Sequence, residues 1–178
     1  MDLTAALSDL CKGIQQPIIA IDGPAGAGKT TLALDIALSM GRFMKVHTLH
    51  MDSLYNGWLT PFDKKWSSSL ITATRSHKTR EKYSLPHFDW QLSDYTSDVE
   101  QPNAELLILE GVGAGFSQIS SDITALIWMD IDPSIGLQRV LSRDGEEISR
   151  EMQNWLQLQE QHFIAEGAKI RADFILTT

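Results

Sequence analysis

At 178 residues, with 43% apolar and 21% charged residues, the chain has the composition of one globular domain able to bury a full core. A formal net charge of −8 excludes a general binder of nucleic acid or anionic membrane, which needs a basic face, but leaves room for a local basic pocket. The single cysteine, Cys11, cannot close an internal disulfide and has no metal-ligating neighbour at useful spacing, a pattern that suits a reducing cytoplasm.

Taken in order, residues 4–12 read as a short helix capped by Thr4 and stopped at Gly13, with Leu3, Leu7 and Leu10 on one face. Asp2 and Asp9 among few apolar neighbours make this start neither a signal peptide nor a membrane span. Ile18-Ile19-Ala20-Ile21 is a short apolar strand. Gly23-Pro24-Ala25-Gly26-Ala27-Gly28-Lys29-Thr30 follows and fits the phosphate-binding pattern G-x-x-x-x-G-K-[ST]. The run from Thr31 to Leu38 can then cover one face of a helix that ends near Gly41. Strand, glycine-rich turn and helix in that order are the context the motif requires. Its glycines let backbone N–H groups approach phosphate oxygens, and the helix N-terminus adds positive dipole. The backbone from Gly23 to Thr31 is thus the expected ATP-binding segment. Lys29 is placed to reach the β- and γ-phosphates, and the Thr30 hydroxyl to ligate Mg²⁺.

A second strand, Lys45 to Leu49, delivers His50-Met51-Asp52-Ser53-Leu54-Tyr55. Ligands of open parallel sheets sit at the carboxyl ends of strands, so Asp52 either faces the phosphate site or caps its own turn. His47 and His50 read as structural, because no further metal ligand stands beside them. Residues 53–103 form an insertion too short for a separate domain: Asp63 caps a helix carrying Trp66, Leu70 and Ile71, and Ser76 to Lys82 is basic and expected to be exposed. A possible extended piece runs from Tyr95 to Val99. Tyr55, Trp58, Phe88 and Trp90 are either walls of a substrate pocket or the insertion's own small core.

Leu106-Leu107-Ile108-Leu109 is continuously apolar, as a strand buried on both faces must be, and ends in Glu110-Gly111. Ala125 to Met129 repeats the pattern and ends in Asp130; either acid is placed to orient a metal or its waters. Asp132 and Pro133 open a helix that presents Arg139 and Arg143 on one face, where they form surface salt bridges or neutralise charge at a phosphate site. Asp144-Gly145 breaks it, a helix follows from Ser149 to Glu166, and Phe174-Ile175-Leu176 supplies a fifth strand.

With these residues laid out, the chain resembles the uridine kinase/phosphoribulokinase family of small P-loop kinases from Pro17 onward. The likeness rests on the phosphate loop, Asp52-Ser53-Leu54-Tyr55, Phe88-Asp89, Leu109-Glu110-Gly111, Arg139 with Arg143-Asp144, and Ala172-Asp173-Phe174-Ile175. Ile19 to Pro24 is also similar to cytidylate kinases, which share the fold. The resemblance implies an α/β P-loop NTPase fold: a three-layer sandwich whose five-stranded parallel sheet has the order 2-3-1-4-5, with helices on both faces. It also implies one kinase domain over 1–178, with 53–103 as a substrate-binding insertion and 144–150 as a short lid. The implied reaction transfers the γ-phosphate of ATP to a hydroxyl of a small molecule. Asp52 takes the family's base position, Tyr55 a substrate wall and Asp89 the place that holds sugar hydroxyls, with Trp90 beside it. Glu110 falls at the strand-3 acid, and Arg139 and Arg143 in the lid region. Where uridine kinases carry a His and an Arg just past this block, Asp89 is followed here by Trp90-Gln91-Leu92-Ser93-Asp94, so the acceptor does not follow from the likeness. The competing readings are a nucleotide or shikimate-type kinase and a non-catalytic ATP-binding module.

Overall fold

A computed structural model describes residues 2–178. Five strands, β1 (Ile18–Asp22), β2 (Val46–His50), β3 (Leu106–Glu110), β4 (Ala125–Asp130) and β5 (Phe174–Thr177), form one sheet in the order β2-β3-β1-β4-β5. Every pairing is parallel, and the order is the expected 2-3-1-4-5.

The period-two alternation of the strands sorts the core into two layers. Ile19, Ile21, Leu106, Ile108 and Ile127 face α1 (Leu3–Cys11) and α2 (Lys29–Met40), meeting Leu7, Ala33, Ile36 and Met40. Ile18, Ala20, Leu107, Leu109 and Trp128 face the other way, onto Trp66 and Leu70 of α3 (Lys64–Thr79), Val140 of α4 (Pro133–Asp144), and Met152 and Trp155 of α5 (Ser149–Glu166). Burying both faces explains why β1 and β3 read as unbroken apolar runs. No helix among the described residues is long and apolar enough to cross a membrane.

The capping chemistry follows the expected physics with small shifts. Asp63 accepts from the Trp66 N–H at 2.8 Å, and Asp132 from the Ser134 N–H at 2.9 Å. Asp2, not Thr4, caps α1: its carboxylate accepts the Thr4 N–H at 3.0 Å and starts the helix at Leu3. The stretch Tyr95–Val99 is not one extended piece. Two short antiparallel ladders replace it, pairing Ser84–Leu85 with Val99–Glu100 and Phe88–Asp89 with Asp94–Tyr95. The second strand runs to His50, one residue further than the hydropathy suggests, and this puts His50 in register with Glu110.

The expected exposure of Ser76 to Lys82 holds from Thr79 to Lys82 and is corrected at Ser76 and His77. Helix α3 continues through Thr79, and Ser76 and His77 lie on its buried face. His77 Nε2 donates to the Pro17 carbonyl at 3.1 Å, fastening α3 to the entry of β1.

Burial pushes the His77 imidazole down to about 4. In the unfolded chain it titrates near ~6.5, so between these values the unfolded state binds the extra proton. Stability is therefore complete above ~6.5 and is lost as pH falls toward 4, with a slope from this group of at most ~1.4 kcal/mol per pH unit. Urea denaturation across that range should show the slope, and His77→Gln, which keeps a donor for Pro17, should flatten it. An unchanged profile in the variant would assign the acid sensitivity to other groups.

Candidate active site

The carboxyl ends of β1, β2 and β3 converge on a cleft of about 500 Å³. The loop after β1 forms its floor. Helix α2 opens at Gly28, which has φ +85° and supplies no side-chain cap. The N–H groups of the first turn, at Lys29, Thr30 and Thr31, therefore point out of the helix without internal partners, as anion donors do. Gly26, at φ +80°, packs against the backbone of Gly136 in α4 so closely that a Cβ would strike the Gly136 carbonyl.

Two buried side chains hold this loop. Asp22 is 1% exposed; its Oδ1 accepts the N–H groups of Gly23 at 2.7 Å and Gly113 at 2.9 Å, and its Oδ2 accepts that of Gly115 at 2.8 Å. Burial pushes this carboxyl upward, while the three N–H donors and Lys29 pull it back toward the charged form. Gln159 of α5 is buried too, and its Oε1 accepts the Ala25 N–H at 3.1 Å. Neither residue was singled out from sequence. Gln159 left one usable signal: with Met152 and Trp155 it occupies the inward face of α5, where an amide needs a partner.

The polar groups of the cleft form one network. Lys29 Nζ donates to the Pro24 carbonyl at 2.7 Å. Burial lowers its pKa, and the charges of Asp22, Glu110 and Asp52 oppose that fall. Thr30 Oγ1 lies 3.2 and 3.3 Å from the two oxygens of Glu110. His50 Nδ1 stands 2.6 Å from Glu110 Oε1, and this contact raises the imidazole pKa. His50 thus belongs to the site, although it read as structural; register with Glu110 is what brings it in.

Asp52 lies in the turn Met51–Ser53 that ends β2 and lines the cleft. That turn is closed by the Leu54 N–H on the Met51 carbonyl and by Ser53 Oγ on the His50 carbonyl, so the Asp52 carboxylate does not cap it. Although Asp52 opens to solvent, the protein crowded around its carboxyl and the charge of Glu110 raise its pKa. Arg139 and Arg143 of α4 also line the cleft. Arg139 Nη1 approaches the Gly26 carbonyl at 3.4 Å, and Arg143 pairs with Asp144 through two contacts of 2.7 and 2.6 Å. Asp144 and Ile148, within the 144–150 segment, also line the cleft.

The remaining sequence candidates divide. Tyr55 lines the cleft but is 1% exposed, with its hydroxyl donated to the Val112 carbonyl at 2.7 Å. Trp90 lines it as well, and its indole N–H donates to the Asp52 carbonyl at 3.0 Å. Asp89 is not part of the lining. Its Oδ1 accepts the N–H groups of Gln91 and Leu92 at 2.8 and 3.0 Å, so the carboxylate expected to hold a sugar caps a turn instead. Asp130, the alternative metal acid, gives both oxygens to Lys169 at 3.0 Å and lies away from the cleft.

A hydroxyl and a carboxylate side by side, Thr30 and Glu110, are hard oxygen donors suited to Mg²⁺. Among the described residues no group of three or more His, Cys, Asp or Glu side chains could hold a metal alone.

No protein-family model matches this chain. Over 149 residues it is 27% identical to a uridine kinase of Lactobacillus helveticus (strain DPC 4571), an alignment covering 76% of this chain and 71% of the relative. Its fold is similar to that of a protein from Bacillus stearothermophilus described as a possible uridine kinase, with a TM-score of 0.66 and 20% identity over 99% of this chain and 100% of the other. It is also similar to a D-glycerate 3-kinase from Cryptococcus neoformans, with a TM-score of 0.58 and 15% identity over 94% and 87% of the two chains. The resemblance to uridine-kinase-like P-loop kinases read from the motifs is thus found in sequence, and the α/β P-loop kinase fold in three dimensions.

The three N–H groups that converge on Asp22 have no other acceptor to turn to. Asp22→Ala should lower unfolding stability by about 3 kcal/mol or more, since each buried N–H left unpaired costs ~1–3 kcal/mol. A loss below ~1 kcal/mol in denaturant titration would mean that both loops hold their shape unaided.

Proposed function

We propose that this protein is an ATP-dependent kinase that transfers the γ-phosphate to a hydroxyl of a small molecule. The observation that carries the reading is the convergence on one cleft of an uncapped helix N-terminus with Lys29, the Thr30–Glu110 pair and a carboxylate, Asp52, that the protein does not use. The similarity to a uridine kinase supports it.

In this reading the N–H groups of the phosphate loop cradle the β-phosphate, and Lys29 leaves the Pro24 carbonyl for phosphate oxygens. Arg139 and Arg143, which line the same cleft, balance negative charge as it moves toward the leaving group. Mg²⁺, held by Thr30 and Glu110, would screen the phosphate charges. The acceptor oxygen forms a bond to the γ-phosphorus while the bond from that phosphorus to the β-phosphate oxygen breaks, releasing ADP. The hydroxyl proton passes to the Asp52 carboxylate and then to water. The raised pKa of Asp52 makes it a stronger base than an ordinary carboxylate. The segment 53–103 supplies the acceptor side through Tyr55, Trp58 and Trp90.

A coupled ADP-release assay over a panel of hydroxyl acceptors tests the reading; a chain that binds ATP yet releases no ADP with any of them is a binding module, and one that releases ADP without an acceptor is an ATP hydrolase. Lys29→Ala should weaken ATP binding in calorimetry, and equal affinity in the variant would remove the phosphate-site assignment. Asp52→Asn keeps shape and removes the base. It should cut kcat by ~10²–10⁴ while ATP affinity changes only a few-fold. Turnover at the wild-type rate would transfer the base role elsewhere, to Glu110 first.

A further inference from the structure

We propose that the acceptor is a small aromatic alcohol, one planar ring carrying a hydroxymethyl group, rather than a polyhydroxylated sugar. The inference rests on the reading of the cleft as a phosphoryl-transfer site and concerns the wall beside Asp52.

That wall is built from Tyr55, Trp58, Trp90 and Trp155, continued by Met152 and Ile148. The rings brace one another edge to face. Trp58 and Trp90 have centroids 5.0 Å apart at 63°, Trp58 and Trp155 5.9 Å apart at 87°, and Tyr55 and Trp155 4.9 Å apart at 64°. Two polar handles are turned into the protein: the Tyr55 hydroxyl onto Val112 and the Trp90 indole N–H onto the carbonyl of Asp52 itself. The second bond ties the exposed ring, Trp90 at 36%, to the residue that would take the proton. A ring stacked on Trp90 therefore has its substituent held near the Asp52 carboxylate.

The polar inventory favours a ring over a sugar. The other charged and hydroxyl side chains of the lining, Lys29, Thr30, Thr31, Glu110, Arg139, Arg143 and Asp144, stand on the first turn of α2, the end of β3 and α4. Among the described residues no amide lines the cleft, the His50 imidazole is engaged by Glu110, and the Asp52 carboxylate beside the aromatic wall accepts no hydrogen bond. Asp89, the carboxylate expected to hold vicinal hydroxyls, gives its Oδ1 to its own turn and is not part of the lining. Each sugar hydroxyl buried here without a partner would cost ~1–3 kcal/mol, whereas a flat ring loses nothing and gains stacking. Size agrees. The cleft of about 500 Å³ must also hold the phosphates, and pockets for one drug-sized ligand alone run to ~300–1,000 Å³. One ring fits the remainder.

Three of the five tryptophans line this cleft, so ring binding can be read without turnover. Benzyl alcohol and hydroxymethylpyridine are titrated into the full chain, by calorimetry and tryptophan emission, without nucleotide. The same compounds, with fructose, uridine and choline, are then offered in the ADP-release assay, and ATP affinity is measured separately. The expected result is that a ring alcohol binds, shifts the emission and is the best acceptor, and that Trp90→Ala raises its KM about tenfold or more at unchanged ATP affinity. Preference for fructose, uridine or choline, with no ring alcohol bound, overturns the ring site and leaves the kinase reading standing. Ring binding that depends on Trp90 in a chain that binds no ATP keeps the ring site and overturns the kinase reading. Trp58→Phe provides a second, milder probe: if neither variant changes ring affinity, the wall is not the acceptor site.

Discussion

The cleft depends first on one buried carboxylate. Asp22 ends the central strand and gathers three backbone N–H groups from two loops that are about ninety residues apart in the chain. Without it, the phosphate loop and the glycine turn after β3 would each expose N–H groups to a dry interior. A neutral acceptor could satisfy them only in part, because a carboxylate alone offers lone pairs on both oxygens and no competing donor. The charge is costly to bury, and the three N–H groups with Lys29 nearby make it tolerable. Asp22 thereby fixes the distance between the anion-binding floor and the segment that carries Glu110 and Val112.

A second set of ties orients the floor. Gln159 reaches from α5 to the Ala25 N–H, and Gly136 of α4 lets Gly26 pack directly on its backbone. The helices that bear Arg139, Arg143 and Met152 are thus referenced to the phosphate loop by a hydrogen bond and a close backbone contact. The arginines of α4 and Trp155 of α5 are thus each positioned against the same loop.

The sequence made the frame legible because the frame is local. Apolar runs with acids at their ends locate β1, β3 and β4, and a glycine-rich turn between a strand and a helix locates the phosphate loop. Asp63 and Asp132 announce their helices by cap chemistry. What stayed hidden is long-range. His50 joins the site only through register with a strand sixty residues away, and Gln159 only through a contact across 134 residues. His77 sits in a stretch whose basic neighbours conceal that its face points inward. Asp89 illustrates the opposite failure: its position in the motif suggests a ligand contact, yet Gln91 and Leu92 two and three residues on offer N–H groups that claim the carboxylate. An acid followed by a tight turn satisfies itself locally before it can serve a distant ligand.

Charge balance then sets how the cleft meets a ligand. The protein carries a net −8, yet Lys29, Arg139 and Arg143 here face Asp52, Glu110 and Asp144, three cations against three carboxylates. Most already have a partner within the chain. Lys29 leans on the Pro24 carbonyl, Arg143 on Asp144, and both Thr30 and His50 on Glu110. Such pairing keeps partly buried charges from standing uncompensated, which would cost several kcal/mol each. It also means that phosphate and cation must exchange for existing contacts rather than add to an idle site, so net affinity is the difference between two satisfied states. Asp52 stands apart from this exchange. Its carbonyl is tied to Trp90, but among the described residues no donor claims its carboxylate, and the protein crowded around it, with the charge of Glu110, raises its affinity for a proton. A group left unpaired in a network where its neighbours are paired is the one free to take up a proton without first giving up a bond.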